Sequence, residues 1–479
     1  PFFYYLTPRR IYFASSLAEL IPALRQDGIV ISVNEIELKY MLWVGKMLIH
    51  STKVHEDTLY NGIKRVKPNH VVTISANKVI QTQYWSLSSN CNETIYYKNE
   101  DEYLEHFSEL LHEGVKLQIG AETAIAAECS GGLDSSSIIL AAHHLNKPLM
   151  LYTHLDQDYD PAANRLRESY FVEQLVHKYA FKHSNINADD FNLPEAFEMV
   201  TNVLAGQMQS IFPLGANIIH AQVAAGKSKI LLSGFGGDEC VSGHANLSAF
   251  LPQLLKRGEY KKAWQEYHQH YIVNKLPKPA IIAQAKTWIR AQFPDLGEKI
   301  FLRRYQQKKQ HFAKLGFSLP EYLARASSVA EFEVRQLIGI DNNHMSYRIE
   351  DSALIARHYG FKYKYPLLYP KLVEFCNRLP LHMKRENGLA RIMIRKYLAQ
   401  AGMPEFSSKP IAKFDGSIMG SALTKIKETY QSHFEKQLNS PLLYNEIQLQ
   451  ILNSDPYLLS NSKLYQDLAL LVLNQYLVK

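Results

Sequence analysis

Seven residues, Ser130-Gly131-Gly132-Leu133-Asp134-Ser135-Ser136, combine the groups that chemistry on a bound phosphate needs. Two adjacent glycines let backbone approach a ligand closely and can take positive φ. Backbone N–H groups at such a turn and at a helix start cradle phosphate oxygens. Ser130, Ser135 and Ser136 add hydroxyl donors. Asp134 is a poor direct partner for phosphate, because both are anions. It becomes useful if Mg²⁺ lies between them, since that ion takes one or two carboxylates plus phosphate oxygens. A second segment, Ser233-Gly234-Phe235-Gly236-Gly237-Asp238-Glu239, repeats the combination of glycine and acid. Neither segment is the G-x-x-x-x-G-K-[ST] phosphate loop or the G-x-G-x-x-G dinucleotide turn. Asp238 and Glu239 also suit the start of a helix, where acids offset the dipole.

The elements around these loops decide whether they can meet. Thr123 to Glu128 reads as a short apolar strand, followed by the first loop and a helix from about Ser136 to Leu145. A strand from Leu149 to His154, a helix from Glu168 to Tyr179 and a strand from His183 to Ile186 follow. Lys229 to Leu232 is a further buried strand, directly before the second loop. Alternation of this kind predicts an α/β fold with a parallel sheet covered on both faces. Both loops then lie at the carboxyl edge of the sheet, where ligands bind, and Asp134 and Asp238 can share one Mg²⁺. Beyond Ser248 the pattern is almost wholly helical. Before Asp101 it is different: a hairpin of Phe2–Leu6 and Arg10–Ala14, helices at Leu17–Arg25 and Glu35–Leu48 with Asn34 as the N-cap of the second, and a strand pair around Ala76-Asn77. Ser88 to Glu100 is polar and reads as a linker, and Tyr103 to Leu117 as an amphipathic helix.

In this order and separation the two loops resemble the synthetase domain of asparagine synthetases, β-lactam synthetases and the cyclases that close lasso peptides. Ser130–Ser136 matches the family's pyrophosphate loop, and Ser233–Glu239 its second acidic loop. Arg348-Ile349-Glu350-Asp351 through Gly360, Pro366-Leu367 and Val373-Glu374-Phe375 to Leu379-Pro380 is similar to its helical core. Arg391 to Pro404, with Arg395 and Met403-Pro404, resembles the segment after it. The resemblance implies a doubly wound parallel sheet of the ATP-pyrophosphatase type with a large helical C-terminal part. It divides the chain into a partial, β-rich glutaminase-like domain of the Ntn type at 1–90, a linker at 91–100 and an ATP-binding synthetase domain at 101–479. It also implies the chemistry: a carboxylate attacks the α-phosphate of ATP, and an amine then displaces AMP. ATP binding would fall to Ser130, Gly131, Gly132, Leu133, Asp134, Ser135, Ser136, Ser233 and Gly234, and Mg²⁺ to Asp134 and Asp238. A lysine of the loop after Pro404 would stabilise the adenylating transition state; spacing favours Lys413 over Lys409. The nucleophilic Cys that opens true glutaminase members is absent, and a natural N-terminus is expected upstream of Pro1.

Departures from the pattern refine the substrate. Asparagine synthetases carry Glu where this chain has Phe235 and Lys362, and the Tyr–Glu base pair of β-lactam synthetases has no match at the corresponding positions. A Phe and a cation do no general-base work. The Gly-Gly-Asp-Glu form of the second loop and the leucine-rich Phe250–Gly258 look more like lasso cyclases. Those enzymes adenylate an Asp or Glu side chain of a precursor peptide and join it to the peptide's N-terminal amine. An α-amine has a pKa of roughly 7.7–8.0, so part of it is neutral without a strong protein base. The expected partner is therefore a lasso-type precursor peptide, with a leader peptidase and a leader-binding protein as helpers. An asparagine synthetase taking aspartate and ammonia or glutamine is the alternative, and a non-catalytic nucleotide-binding homologue the third reading. Among lesser candidates, His244 follows the second loop, Glu350 and Asp351 could orient an amine or form a salt bridge, and Cys129 suits a small buried strand-end side chain. Tyr359, Tyr363, Tyr365 and Tyr369 suit either a peptide groove or an edge strand.

Composition excludes several classes. The net charge of +7 is spread without a basic run, so a nucleic-acid tail is not expected. The 4 cysteines show no C-x-x-C spacing, which suits a reducing cytoplasm. No apolar run reaches the roughly 20 residues of a membrane helix, and no signal peptide is visible.

Overall fold

The computed structural model describes residues 1–34, 37–38, 56–75, 78–87, 93–154, 166–186, 193–208, 212–241, 247–274, 284–286, 288–289, 343–408 and 411–412. Lys409, Lys413, His244, Cys91 and most of the expected Glu35–Leu48 helix lie outside them.

The N-terminal part is built on the expected hairpin. Strands β1 (Phe3–Leu6) and β2 (Ile11–Ala14) pair antiparallel, and β3 (Lys64–Arg65) joins the other side of β1. Helix α1 (Leu17–Gln26) starts at Ser16, whose hydroxyl accepts from the Glu19 N–H. Asn34 caps as expected: its Oδ1 accepts from the Glu37 N–H at 3.3 Å. Strands β4 (His70–Ser75) and β5 (Lys78–Gln83) form the second hairpin.

Helix α2 (Glu100–Ile119) is longer than its apolar stripe, because Asn99 caps it at the Glu102 N–H. There follow β6 (Ile125–Glu128), α3 (Leu133–His144), β7 (Leu149–His154), β8 (Leu166–Arg167), α4 (Glu168–Tyr179), β9 (Lys182–Ile186), α5 (Leu193–Val203), α6 (Phe212–Ala225) and β10 (Ile230–Leu232). The rest comprises α7 (Leu247–Lys256), α8 (Tyr260–Val273), α9 (Asn343–His358), β11 (Lys362–Lys364), α10 (Pro370–Arg378), the hairpin β12 (Arg385–Glu386) and β13 (Leu389–Ala390), α11 (Ile392–Gln400) and β14 (Ile411–Ala412). The main sheet has the order β11-β10-β6-β7-β9, and every pairing in it is parallel. One core joins residues of α2, α3, α4, α10 and α11 to the sheet, including Phe107, Ile139, Phe171 and Ile394. The other face packs Ala126, Tyr152 and Leu231 against Val223 of α6 and Met345 and Ala356 of α9. The predicted α/β fold with a doubly covered parallel sheet is therefore present.

Two expectations are corrected. The helix after the first loop begins at Leu133, not Ser136, so Asp134, Ser135 and Ser136 lie in its first turn. The stretch beyond Ser248 is not wholly helical: Lys362–Lys364 is an edge strand of the main sheet, and Arg385–Ala390 holds a small hairpin. Alternation over Phe361–Tyr365 carried that strand, because Phe361, Tyr363 and Tyr365 are buried while Lys362 is exposed.

The N-terminal part is welded to α5 and α9. Leu20, Ile21 and Leu24 share a core with Phe197, Val200, Met208 and Ile355. Arg65, fully buried, pairs with Glu350 at 3.1 Å and lies over the Tyr347 ring at 4.7 Å. Glu350 and Asp351 thus face this interface: Glu350 forms the salt bridge, and burial holds the Asp351 carboxyl well above its usual range. Gln207 accepts from the Leu59 N–H at 2.9 Å, and Trp85 donates to Glu374 at 3.0 Å.

Candidate active site

Both glycine loops leave parallel neighbouring strands at the same edge, β6 for the first and β10 for the second. Gly131 takes φ +74° and turns the chain into α3. The Ser130 hydroxyl lies 3.0 Å from that of Ser135, and the Gly132 N–H donates to Ser130 at 3.3 Å, so the turn is braced by its own side chains. Ser130 is exposed, while the Ser136 side chain is fully buried and its hydroxyl has no partner among the described residues. The second loop closes in a wide helical turn, Gly237–Val241, which places Asp238 and Glu239 at its start.

Glycine is required where the loops touch. A Cβ on Gly234 would stand 2.6 Å from the Ser135 nitrogen, and one on Gly237 would stand 2.2 Å from Cγ of Asp134. The loops therefore pack backbone to backbone at Gly234 and backbone against the Asp134 side chain at Gly237, and that contact sets Asp134 beside Asp238.

A third element completes the cluster. Arg391 Nη1 donates to Asp134 Oδ2 at 2.9 Å, and Nη2 pairs with Asp238 Oδ1. Arg391 occupies the left-handed region, φ 65° and ψ 43°, immediately before α11. For a non-glycine residue this is unfavourable by roughly 1–2 kcal/mol. Its surroundings hold it there. The Arg391 N–H donates to Lys384 O at 3.0 Å, closing the β12–β13 hairpin behind it. Arg395, one turn on, donates to Ala390 O at 2.9 Å and Phe406 O at 2.6 Å. Burial, and then the charge of Arg391, lower the Arg395 pKa to about 10. The hairpin itself rests on α8: the buried Arg385 Nε meets Glu266 at 3.2 Å, and the Gly388 N–H donates to Glu266 at 3.1 Å.

The carboxylates converge on one cationic group, so the pair also suits a divalent ion. Among the described residues no three or more His, Cys, Asp or Glu side chains gather as a metal cage. Phosphate oxygens would complete the shell, as is usual for Mg²⁺. Arg391 would then turn from the aspartates toward the phosphates, where its fork matches their geometry.

The opposite face of the same strand ends carries a second polar group. Glu128, the last residue of β6, accepts from Ser233 Oγ at 2.6 Å on one oxygen and from the Tyr363 hydroxyl on the other. The Tyr363 and Tyr365 rings lie 5.0 Å apart, and Phe235 meets Tyr365 edge-on at 6.0 Å. Arg348 of α9 covers the Phe235 ring at 4.1 Å. Phe235 is thus a platform for a cation, and Tyr363 and Tyr365 are buried rather than lining an open groove.

A family model described as asparagine synthase matches residues 106–466, most of the chain. The chain belongs to the asparagine synthase family. Similar curated proteins include the amidase chry2 of Gibberella zeae, 33% identical over 98 residues, and the amidase chyE of Penicillium rubens, 30% identical over 89. They also include the glutamine-hydrolyzing asparagine synthetase 3 of Bacillus subtilis, 26% identical over 158 residues. These stretches cover 20%, 18% and 32% of this chain and 15%, 13% and 24% of the relatives, respectively. The chain thus spans under a quarter of the length of each relative. The family is one of ATP-dependent ligases and amidotransferases that form carbon–nitrogen bonds. Among the described residues no helix is long and apolar enough to cross a membrane.

Glycine and acid spacing singles out Asp134 and Asp238, and the structure brings these two together. That spacing does not point to Arg391 or Glu128. Glu128 had one signal, a lone acid ending an otherwise apolar strand directly before the first loop. Cys129 is buried, and burial pushes its thiol up to about 11, so it is no nucleophile.

Proposed function

We propose that this asparagine synthase family member adenylates an Asp or Glu side-chain carboxylate of a precursor peptide and joins it to that peptide's N-terminal amine. This is the ring closure of a lasso-type macrolactam synthetase. The observation that carries the adenylation is the convergence of Asp134 and Asp238, from two glycine loops, on one cationic centre. The substrate carboxylate attacks the α-phosphate of ATP, the bond to the β-phosphate breaks, and pyrophosphate leaves. Backbone N–H groups of Gly131–Ser135 and the start of α3 would hold the departing phosphates. Mg²⁺ held by Asp134 and Asp238 would neutralise triphosphate charge. Arg391 then adds a guanidinium to the pyrophosphate, and Lys413 a second cation. The amine displaces AMP in the second half-reaction.

Phe235 under Arg348 and the exposed Lys362 stand where the resemblance places Glu in asparagine synthetases, which favours a peptide amine over ammonia. Residues 1–90 form, in this proposal, a partial glutaminase-like part. Formation of asparagine from aspartate is the second reading, favoured by the name of the Bacillus subtilis relative. A leader peptidase and a leader-binding protein would be the partners of the first reading only.

Incubation with ATP, Mg²⁺ and either aspartate plus ammonia or a precursor peptide separates them. Ring closure gives AMP, pyrophosphate and a peptide lighter by one water. Asparagine in the first mixture would replace this proposal by the second reading. No pyrophosphate with any carboxylate would remove both.

A further inference from the structure

We infer that Glu128 receives the attacking amine as an ammonium and takes its proton before displacement of AMP. The inference rests on the adenylation reading and assigns the second half-reaction a residue of this chain. Glu128 stands at the carboxyl edge of the sheet, two residues before Ser130, and its partner Ser233 opens the other loop. It therefore lies between the two phosphate-facing segments, on the sheet face away from α3. Its environment is unusual for a structural acid. Among the described residues no basic side chain forms an ion pair with it; its donors are two neutral hydroxyls. Burying an anion without a cation is unfavourable, and apolar residues would pack this strand end better. Burial, and then the charge of Glu128, hold the Tyr363 hydroxyl well above its ordinary pKa. Tyr363 therefore stays a donor and keeps Glu128 the acceptor.

A second observation lies beside it. The Tyr365 and Ser352 hydroxyls are buried beside one another, and among the described residues neither has a partner besides the other. Tyr365 lies on the same sheet face as Glu128, and the Glu128 carboxylate acts on its hydroxyl. Buried hydroxyls that have only each other leave hydrogen-bonding capacity unused, which a polar group entering there can take up. Arg348 is the cation of this neighbourhood, its charge acting on both tyrosine hydroxyls; an ammonium seated on Glu128 would pair with the carboxylate directly, and the adenylate oxygens would give the Tyr365 and Ser352 hydroxyls acceptors.

The step balances within these groups. The ammonium passes one proton to Glu128. The neutral nitrogen attacks the acyl carbon, the carbon–oxygen bond to AMP breaks, and its electron pair leaves with AMP. The surplus proton on nitrogen goes to solvent.

Three readouts on the full chain test this with a peptide carrying an N-terminal amine and an internal Glu. Carboxylate-dependent exchange of pyrophosphate into ATP reports adenylation alone. Hydroxamate formation with hydroxylamine, an amine already neutral near pH 7, reports capture that needs no base. Amide product reports both half-reactions. Glu128→Gln is expected to keep exchange and hydroxamate within about threefold while amide formation falls about 10²-fold or more, the usual worth of a general base. That loss should shrink as pH rises and the amine deprotonates by itself. Tyr363→Phe, which keeps the ring, is expected to lower amide formation several-fold while exchange and hydroxamate stay within about threefold, because the carboxylate loses a donor that orients it. Equal loss of all three readouts in both variants would make Glu128 a structural residue and overturn the inference, as would unchanged amide formation in Glu128→Gln. Absence of exchange in the unaltered protein would overturn the adenylation reading first, and this inference with it.

Discussion

At the scale of single residues, the site is a matter of charges placed on a rigid frame. Asp134→Asn or Asp238→Asn is expected to abolish turnover, because either amide weakens the paired carboxylate site; pyrophosphate release is the measurement. Near-normal release from either variant would refute a shared metal. Arg391 sharpens the point. Its guanidinium joins both aspartates at once, and lysine cannot reproduce a planar fork. Arg391→Lys is therefore expected to lower turnover about 10²-fold, comparable to loss of one preorganised charge donor, with the melting temperature little changed. An equal fall in stability would make Arg391 a strut for the aspartates rather than a phosphate ligand. The aspartates could be read from the sequence because glycine and acid stand within a few positions of each other. Arg391 could not: it reaches Asp134 across 257 positions. Glu128 meets its hydroxyl partners across 105 and 235 positions. Local pattern identifies loop chemistry and is silent on who arrives from elsewhere in the chain.

At the scale of elements, packing decides whether those charges meet. Gly237 is the tightest point, with its absent Cβ 2.2 Å from Asp134 Cγ. Gly237→Ala is expected to push the loops apart and to lower turnover by at least tenfold, while far-ultraviolet circular dichroism keeps the helical signal. Wild-type turnover in that variant would mean that the loops slide freely. The β12–β13 hairpin acts at longer range. Glu266 binds Arg385 and the Gly388 N–H in a fully buried setting, and the hairpin leads straight into Arg391. Removing one partner of a buried pair typically destabilises by about 3–5 kcal/mol, so Glu266→Ala should lower the melting temperature and, with the hairpin loosened, turnover as well. Strand and helix alternation made the central sheet legible in the sequence, and the Glu168–Tyr179 helix and Leu149–His154 strand fall where expected. The start of α3 at Leu133 was missed because Gly and Ser at a helix start look like loop. The hairpin was missed because its strands have two residues each, too short to show a period.

At the scale of the whole molecule, buried titrating groups tie stability to pH, in two opposite directions. Burial lowers His220 to about 3, lowers His270 to about 4, with Arg385 adding to it, and lowers His112 to about 4 with His144 adding to it. Both ring nitrogens of His220 lack partners, with Phe361 and Tyr363 rings at 5.6 and 5.2 Å. Between these values and the ordinary 6.5 the unfolded chain binds more protons than the folded one, so stability rises with pH there. Their contribution is full above about pH 6.5 and is lost as pH falls toward 4 and then 3. Glu37 has the other sign. Burial, then Asp57, raise it from 4.5 to about 7, so the folded chain holds an extra proton between those values. Its penalty is complete above pH 7 and is relieved by acid. No spacing rule announces either effect, since a lone His or Glu in a helical stretch reads as a surface residue until the neighbouring elements cover it. The two groups are separable by substitution. Melting temperature should fall by several degrees from pH 7 to pH 4.5 in the unaltered chain. His220→Phe should flatten that fall without changing the value at pH 8 by as much. Glu37→Gln should raise the melting temperature at pH 8 and leave it nearly unchanged at pH 4. If His220→Phe kept the full acid slope, the remaining histidines would carry it. If Glu37→Gln stabilised equally at both pH values, the gain would come from packing or a new hydrogen bond, because proton linkage alone cannot act below the pKa of the unfolded side chain.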